Sequence, residues 1–88
     1  MNGYMYILKS ERNNRYYIGS TNDLERRLME HSKGQAKATA RLIPLKLVYQ
    51  EEYSDLLDAR RRENQIKKWK SRKMIEELIL NMGQSSLG

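Results

Sequence analysis

The sequence predicts a small α/β (α+β) domain: a three-stranded mixed or antiparallel sheet flanked by helices, in the order β-β-α-β-α-α. Three observations carry that prediction. Two Tyr- and Ile-rich runs, Tyr4-Met5-Tyr6-Ile7-Leu8 and Tyr16-Tyr17-Ile18-Gly19, flank the polar turn Ser10-Glu11-Arg12-Asn13-Asn14. A third strand-like run, Leu45 to Tyr53, follows Pro44. The segments after the second and third runs carry apolar residues at helical spacing.

Taken in order, residues 3–9 and 15–20 read as strands of a hairpin, because Asn13-Asn14 tolerates the positive φ of a tight turn. Thr21 or Asn22 offers an N-cap to a first helix, with Asp23 and Glu25 in the turn where the helix dipole favours negative charge. That helix should run to about Lys33 and stop at Gly34. Residues 35–44 have weak periodicity and read as a loop with about one helical turn. In the third strand Leu45, Leu47 and Tyr49 alternate with Lys46, Val48 and Gln50. Ser54 or Asp55 caps a second helix through about Trp69. Ser71 starts a third, with Ile75, Leu78, Ile79 and Met82 at helical spacing. The expected organisation is a single domain over residues 1–82 and a disordered tail over 83–88.

Eighty-eight residues make one core, and a core this small can give few buried positions to polar groups without a compensating use. Cysteine is absent and histidine occurs once, as His31, which excludes disulfides, a Cys nucleophile and thiolate zinc sites. No signal-peptide pattern and no membrane-spanning run is present, so the expected location is cytoplasmic, with no membrane partner. Lys and Arg number 17 against 11 Asp and Glu, a formal charge of +6. Between Arg60 and Lys73 lie eight basic residues and one acid, Glu63, so this segment holds +7 and the rest sums to −1. Such a cluster is the footprint of a polyanion-binding face, or else a solvated helix that keeps the protein soluble.

Some polar residues occupy positions that should be apolar. On the second helix Leu56, Ala59 and Ile66 form an inward stripe with Trp69 at its edge, and Glu63 falls within it at 100° per residue. A carboxylate there requires a salt-bridge partner, a route to water or a bound cation. Arg60 to Arg62, with Lys67 and Lys68, supply the outward charge. On the first helix Leu24 and Leu28 face inward, while Arg27 and His31 lie one turn apart beside them. Both could enter a cleft against the hairpin; otherwise Arg27 pairs with Asp23 and His31 meets the carbonyls of the helix end. All six tyrosines fall in strand segments, and taken singly each reads as a packing residue. Tyr4, Tyr6 and Leu8 share one face, Met5 and Ile7 the other. Gly19 would let another group approach the backbone closely.

With these residues in view the sequence resembles the GIY-YIG nuclease superfamily, and within it a small stand-alone bacterial branch. Tyr4-Met5-Tyr6 occupies the place of the first motif, with Tyr4 where the glycine usually stands, and Tyr17-Ile18-Gly19 reproduces the second. Ser20 through Arg27 to His31 is similar to the family's arginine helix. Arg62-Glu63-Asn64-Gln65-Ile66-Lys67-Lys68-Trp69 resembles the helix that carries its metal-binding glutamate. The likeness covers roughly residues 4–80. Lys37, Thr39 and Pro44 match the loop after the first helix, while Ala38 and Ala40 replace an aromatic and an arginine.

The resemblance implies a metal-dependent endonuclease acting on DNA, or on RNA. It implies catalytic roles for Tyr6, Tyr17, Arg27, His31 and Glu63. Glu63 would hold one Mg²⁺ or Mn²⁺. Tyr6 is the preferred general base, Arg27 would neutralise phosphoryl charge, and His31 would orient a tyrosine or assist proton transfer. Lys37, Arg41, Arg60, Arg61, Lys67, Lys68 and Lys70 are the expected nucleic-acid contacts. With no separate DNA-binding domain in this sequence, cleavage should follow DNA structure or single-strandedness rather than sequence, in repair or recombination, by a monomer. Two other functions compete: a nucleic-acid-binding module without turnover, and a subunit whose basic helix docks an acidic protein.

Overall fold

The computed structural model describes residues 2–85, with side chains to residue 81. Strands β1 (Gly3–Ser10) and β2 (Tyr16–Thr21) form the hairpin, followed by helix α1 (Leu24–Ser32) and a 3₁₀ turn at Ala40–Leu42. Strand β3 (Leu45–Tyr53), helix α2 (Leu56–Lys67) and helix α3 (Arg72–Ser85) complete the order. The sheet is wholly antiparallel, with strand order β2-β1-β3. The hairpin turn places Asn14 at φ 63°, as its sequence requires. The third helix extends to Ser85, beyond the expected domain end at 82. Residues 86–88 of the expected tail, and the Met82 side chain, lie outside the described residues.

As the central strand, β1 is covered on both faces, which is why Met5, Tyr6, Ile7 and Leu8 form an unbroken buried run. Met5 and Ile7 pack with Ile18, Tyr49, Ala59 and Ile66 under α2 and α3 to make the main core, with Ile75, Leu78 and Ile79 against it. Tyr6 and Leu8 face the other way, toward α1. Cross-strand pairing puts Gly19 opposite Tyr6 and Tyr17 opposite Leu8 on that same face.

The alternation expected for β3 is interrupted. Ile7 pairs with Tyr49 but Leu8 pairs with Leu47, so Val48 is an extra, bulged residue. A one-residue insertion in a period-two element exchanges the faces. Leu45 and Leu47 therefore lie with Leu8 on the α1 side, whereas Tyr49 enters the core beneath α2 and Val48 packs against that core instead of facing outward.

The helix ends follow local chemistry with small shifts. Asp23, rather than Thr21 or Asn22, caps α1 by accepting from the Arg26 amide at 3.1 Å, while Thr21 Oγ1 accepts from the Asp23 amide at 3.1 Å. The helix stops where expected, at Gly34 with φ +75°. Asp55 caps α2 through the Asp58 amide at 2.9 Å, and Ser71 Oγ accepts from the Met74 amide at the start of α3. The second helix ends at Lys67, two residues before Trp69, and Lys70 at φ 48° turns the chain into α3.

Arg62 departs from expectation: it does not contribute outward charge. Its guanidinium lies over the Trp69 ring and binds Glu51 through Nε at 3.0 Å and Nη2 at 3.3 Å. Glu51 also accepts from the Tyr49 and Tyr53 hydroxyls. Burial alone would raise the Glu51 pKa, but these donors outweigh it and hold the carboxyl below its ordinary range. Burial and the same carboxylate push both tyrosines up to about 12. The four side chains fix α2 against β3, and so fix which face of α2 meets β2.

A depressed carboxyl pKa contributes stability that is complete above the unfolded value near 4.5 and is lost as pH falls through the folded value. Glu51→Gln should therefore cost about 1–3 kcal/mol near neutral pH. In urea titrations the gap between variant and parent should close as pH drops below about 4.5.

Candidate active site

The strongest cluster of polar groups outside the core lies on the α1 side of the hairpin. The Tyr6 side chain crosses the backbone of Gly19: a Cβ there would stand 2.5 Å from the Tyr6 hydroxyl and 3.1 Å from a Tyr17 ring carbon. Glycine is required at this position by proximity and not by backbone angle. The two phenol rings sit 6.5 Å apart, and the His31 ring lies 5.7 Å from Tyr6 and 5.3 Å from Tyr17.

His31 is not a half-exposed helix-end residue. It is buried at 1% exposure, with Nε2 at 3.0 Å from the Tyr6 hydroxyl and Nδ1 at 2.6 Å from Thr39 Oγ1. Burial, then the Arg27 charge, lower its pKa, with Glu30 opposing, so the ring is neutral around neutral pH. Burial raises the Tyr6 pKa, with the neighbouring Tyr17 and Glu63 in the same direction, while the Arg27 guanidinium beside the phenol favours the phenolate. Arg27 is held by Glu30 at 2.9 Å and not by Asp23, which pairs with Arg26 instead.

Glu63 arrives from the opposite face. In β2, Ser20 follows Gly19 and points to the α2 side, where its hydroxyl donates to Glu63 Oε1 at 2.5 Å. Lys67, one turn along α2, holds Oε2 at 2.5 Å. The carboxylate thus sits at the outer edge of the sheet, half-buried, close enough to act on Tyr6 electrostatically. The five residues Tyr6, Tyr17, Arg27, His31 and Glu63 converge around edge strand β2.

Two contributors were not singled out from sequence. Thr39 appeared only as a loop match, because residues 35–44 have no period to mark a buried position. Ser20 could have been found: it is a polar residue on the Met5–Ile7–Ile18 face, the strand counterpart of Glu63 on its helical stripe. Ser10 is buried like Thr39, and its hydroxyl donates to the Leu42 carbonyl at 2.6 Å, tying the 35–44 connection to the hairpin and so holding Thr39 near His31.

The expected nucleic-acid contacts Lys37, Arg41, Arg60, Arg61, Lys67, Lys68 and Lys70 are all exposed. Arg61 leans on Asp58 at 3.5 Å and Lys67 on Glu63. Arg72, in the same basic segment, is engaged by Glu76, by the Asn14 carbonyl at 2.7 Å and by the Tyr16 ring.

Comparison with protein families matches residues 2–76 to the GIY-YIG catalytic domain. The chain belongs to the GIY-YIG family. Among relatives of this GIY-YIG domain, a UPF0213 protein of Staphylococcus haemolyticus is 42% identical over 78 residues, spanning 84% of this chain and 94% of its own. A UPF0213 protein of Clostridium perfringens is 44% identical over 66 residues, 74% of this chain and 70% of its own. The solution NMR structure of a UPF0213 protein from Bacillus halodurans superposes with a TM-score of 0.57 at 35% identity, covering 90% of this chain and 83% of that one. The GIY-YIG assignment makes this a nuclease-type catalytic domain in a small stand-alone family. Among the described residues, no helix is long and apolar enough to cross a membrane.

A histidine whose folded pKa is lowered contributes stability that is complete above the unfolded value of 6.5 and is lost as pH falls through the folded one. As the only histidine, His31 can be followed by its ring protons without assignment. Its titration midpoint should fall below 6.5, with unfolding free energy declining as the solution is acidified below that value. Gly19→Ala should cost about 1–3 kcal/mol by overpacking and displace Tyr6, which would move the same His31 signals.

Proposed function

We propose that this GIY-YIG domain is a divalent-metal-dependent endonuclease that hydrolyses DNA phosphodiester bonds. It selects by structure or single-strandedness and acts in repair or recombination. The observation that carries the proposal is the convergence of two phenols, a neutral imidazole, a guanidinium and a carboxylate at one sheet edge. Simple binding of polyanions gives no reason to bring a carboxylate toward a phosphate site.

The donor set fits a hard cation. Among the described residues there is no group of three or more His, Cys, Asp or Glu, so a nitrogen- or sulfur-rich metal site is not supported. One carboxylate, with water and phosphate oxygens for the remaining positions, suits Mg²⁺ or Mn²⁺. Glu63 would hold the ion, and Lys67 would have to give up its share of the carboxylate. When bound, the ion supplies Lewis-acid stabilisation of phosphoryl charge.

The chain's own groups do the rest. Tyr6, as phenolate, accepts the proton of the attacking water while the new P–O bond forms and the P–O bond to the leaving oxygen breaks. Arg27 has two uses: its charge favours the Tyr6 phenolate, and its exposed portion can meet the developing negative charge on phosphorus. His31, kept neutral, does not compete for the proton and holds the Tyr6 oxygen in place. Tyr17, packed beside them, positions the group. The exposed Lys37, Arg41, Arg60, Arg61, Lys68 and Lys70 attract the backbone without reading bases.

The test is nicking of single-stranded, flapped and branched DNA with Mg²⁺ or Mn²⁺. Cleavage should need the metal, and Glu63→Gln should lower it by about 100-fold or more while leaving DNA binding intact. Tyr6→Phe should lose about 10²–10⁴-fold. Paired Lys68→Ala and Lys70→Ala substitutions should weaken binding on all sequences and reduce the salt slope by about one for each phosphate no longer neutralised. Salt-sensitive binding without cleavage under any metal would instead favour a non-catalytic binding module.

A further inference from the structure

We propose that Thr39 is a positioning residue that locks His31 in the tautomer carrying its proton on Nε2, making His31 a hydrogen-bond donor to the Tyr6 oxygen. In its consequence for the reaction this rests on the nuclease reading; the tautomer itself does not.

Hydrogen-bond satisfaction along the chain Thr39–His31–Tyr6 selects the tautomer. Thr39 has 0% exposure, and among the described residues its hydroxyl has one partner, His31 Nδ1 at 2.6 Å. A neutral imidazole has one N–H and one acceptor nitrogen, whereas a hydroxyl both donates and accepts. The chain can therefore run in only two directions. If Nδ1 carried the proton, it would donate to Thr39 Oγ1, and the Thr39 proton would have no acceptor among the described residues in a fully enclosed position. Such an unpaired buried donor is costly. If the Thr39 O–H donates to Nδ1, Nε2 carries the proton and donates to the Tyr6 oxygen at 3.0 Å.

In this second direction the free end of the chain is Tyr6, whose oxygen lies over Gly19 beside Arg27. There the leftover phenol proton lies beside the part-exposed Arg27, on the side from which water must reach Tyr6, whereas the Thr39 hydroxyl is enclosed at 0% exposure. With Tyr6 as phenolate, every donor in the chain has an acceptor, and the Tyr6 oxygen is met by the His31 N–H together with the Arg27 charge. The arrangement thus opposes the burial that raises the Tyr6 pKa, and it does so from a loop residue that touches neither phosphate nor metal. Ser10, which fastens the 35–44 connection to the hairpin, holds Thr39 in reach.

The experiment is a long-range ¹H–¹⁵N correlation spectrum of the uniformly labelled full chain, near neutral pH, for the parent, Thr39→Ser and Thr39→Val. With a single histidine, the two ring nitrogens are read directly. The expected result is a protonated Nε2 and bare Nδ1 in the parent and in Thr39→Ser, and loss of that single form in Thr39→Val. Nicking should fall about tenfold in Thr39→Val and recover in Thr39→Ser. A parent spectrum with the proton on Nδ1 overturns the proposal, as does a Thr39→Val spectrum identical to the parent's. If Thr39→Val does not fold, the parent and Thr39→Ser spectra still decide the tautomer. The expected tautomers with no nicking by any variant, the parent included, would overturn the nuclease reading and leave the Thr39 assignment standing.

Discussion

The Tyr6 phenol lying across the bare backbone of Gly19 is the contact on which the rest of the site depends. It exists because cross-strand pairing sets these two residues opposite one another and because residue 19 has no side chain to fill the space. With Tyr6 laid flat there, its oxygen is carried to Nε2 of His31, and the imidazole is held from its far side by Thr39. Helix α1 is thereby keyed to the sheet through a buried polar chain and not only through Leu24 and Leu28. In a domain of this size each buried polar group is a substantial fraction of total stability, so three in a row imply a use.

The site is assembled around a sheet edge, from both sides. Tyr6, Tyr17, Arg27 and His31 belong to the α1 face, whereas Glu63 comes up past β2 from the α2 face, guided by Ser20. This division lets a carboxylate and a cluster of phenols approach one another without sharing a buried compartment, where ionising the carboxylate and a tyrosine together would be opposed by repulsion and burial alike. The edge is also where a phosphodiester could reach both sets of groups. The Arg62–Glu51 pair, with its two tyrosines, sets the orientation of α2 that makes the convergence possible.

The basic segment serves two purposes that its composition does not separate. Arg62 and Arg72 are structural, each lying over an aromatic ring and bonded to a carboxylate. Arg60, Lys68 and Lys70 remain exposed. The formal +7 of the segment therefore overstates the field offered to a polyanion, since part of it is neutralised within the fold.

Sequence alone determined the element order, the hairpin and its turn, and the stop of α1 at Gly34, because each depends on nearest neighbours and on simple periodicity. Helical spacing marked Glu63 within an apolar stripe and Arg27 and His31 beside one, whereas Tyr6 and Tyr17, packing residues when taken singly, were marked only by the resemblance of the ordered motifs to a known family. Three things were decided only by tertiary structure. The bulge at Val48 sends Leu47 and Tyr49 to opposite faces, and an inserted residue leaves no mark in an alternating string of hydrophobic side chains. The assignment of Arg62 to Glu51 joins residues 11 positions apart across two elements, where several equally basic neighbours compete for the role. Thr39 sits in an aperiodic loop, and its burial against His31 follows from where Ser10 pins the chain. Local sequence fixes which groups are available; long-range hydrogen bonds, which no local pattern encodes, determine which of them meet.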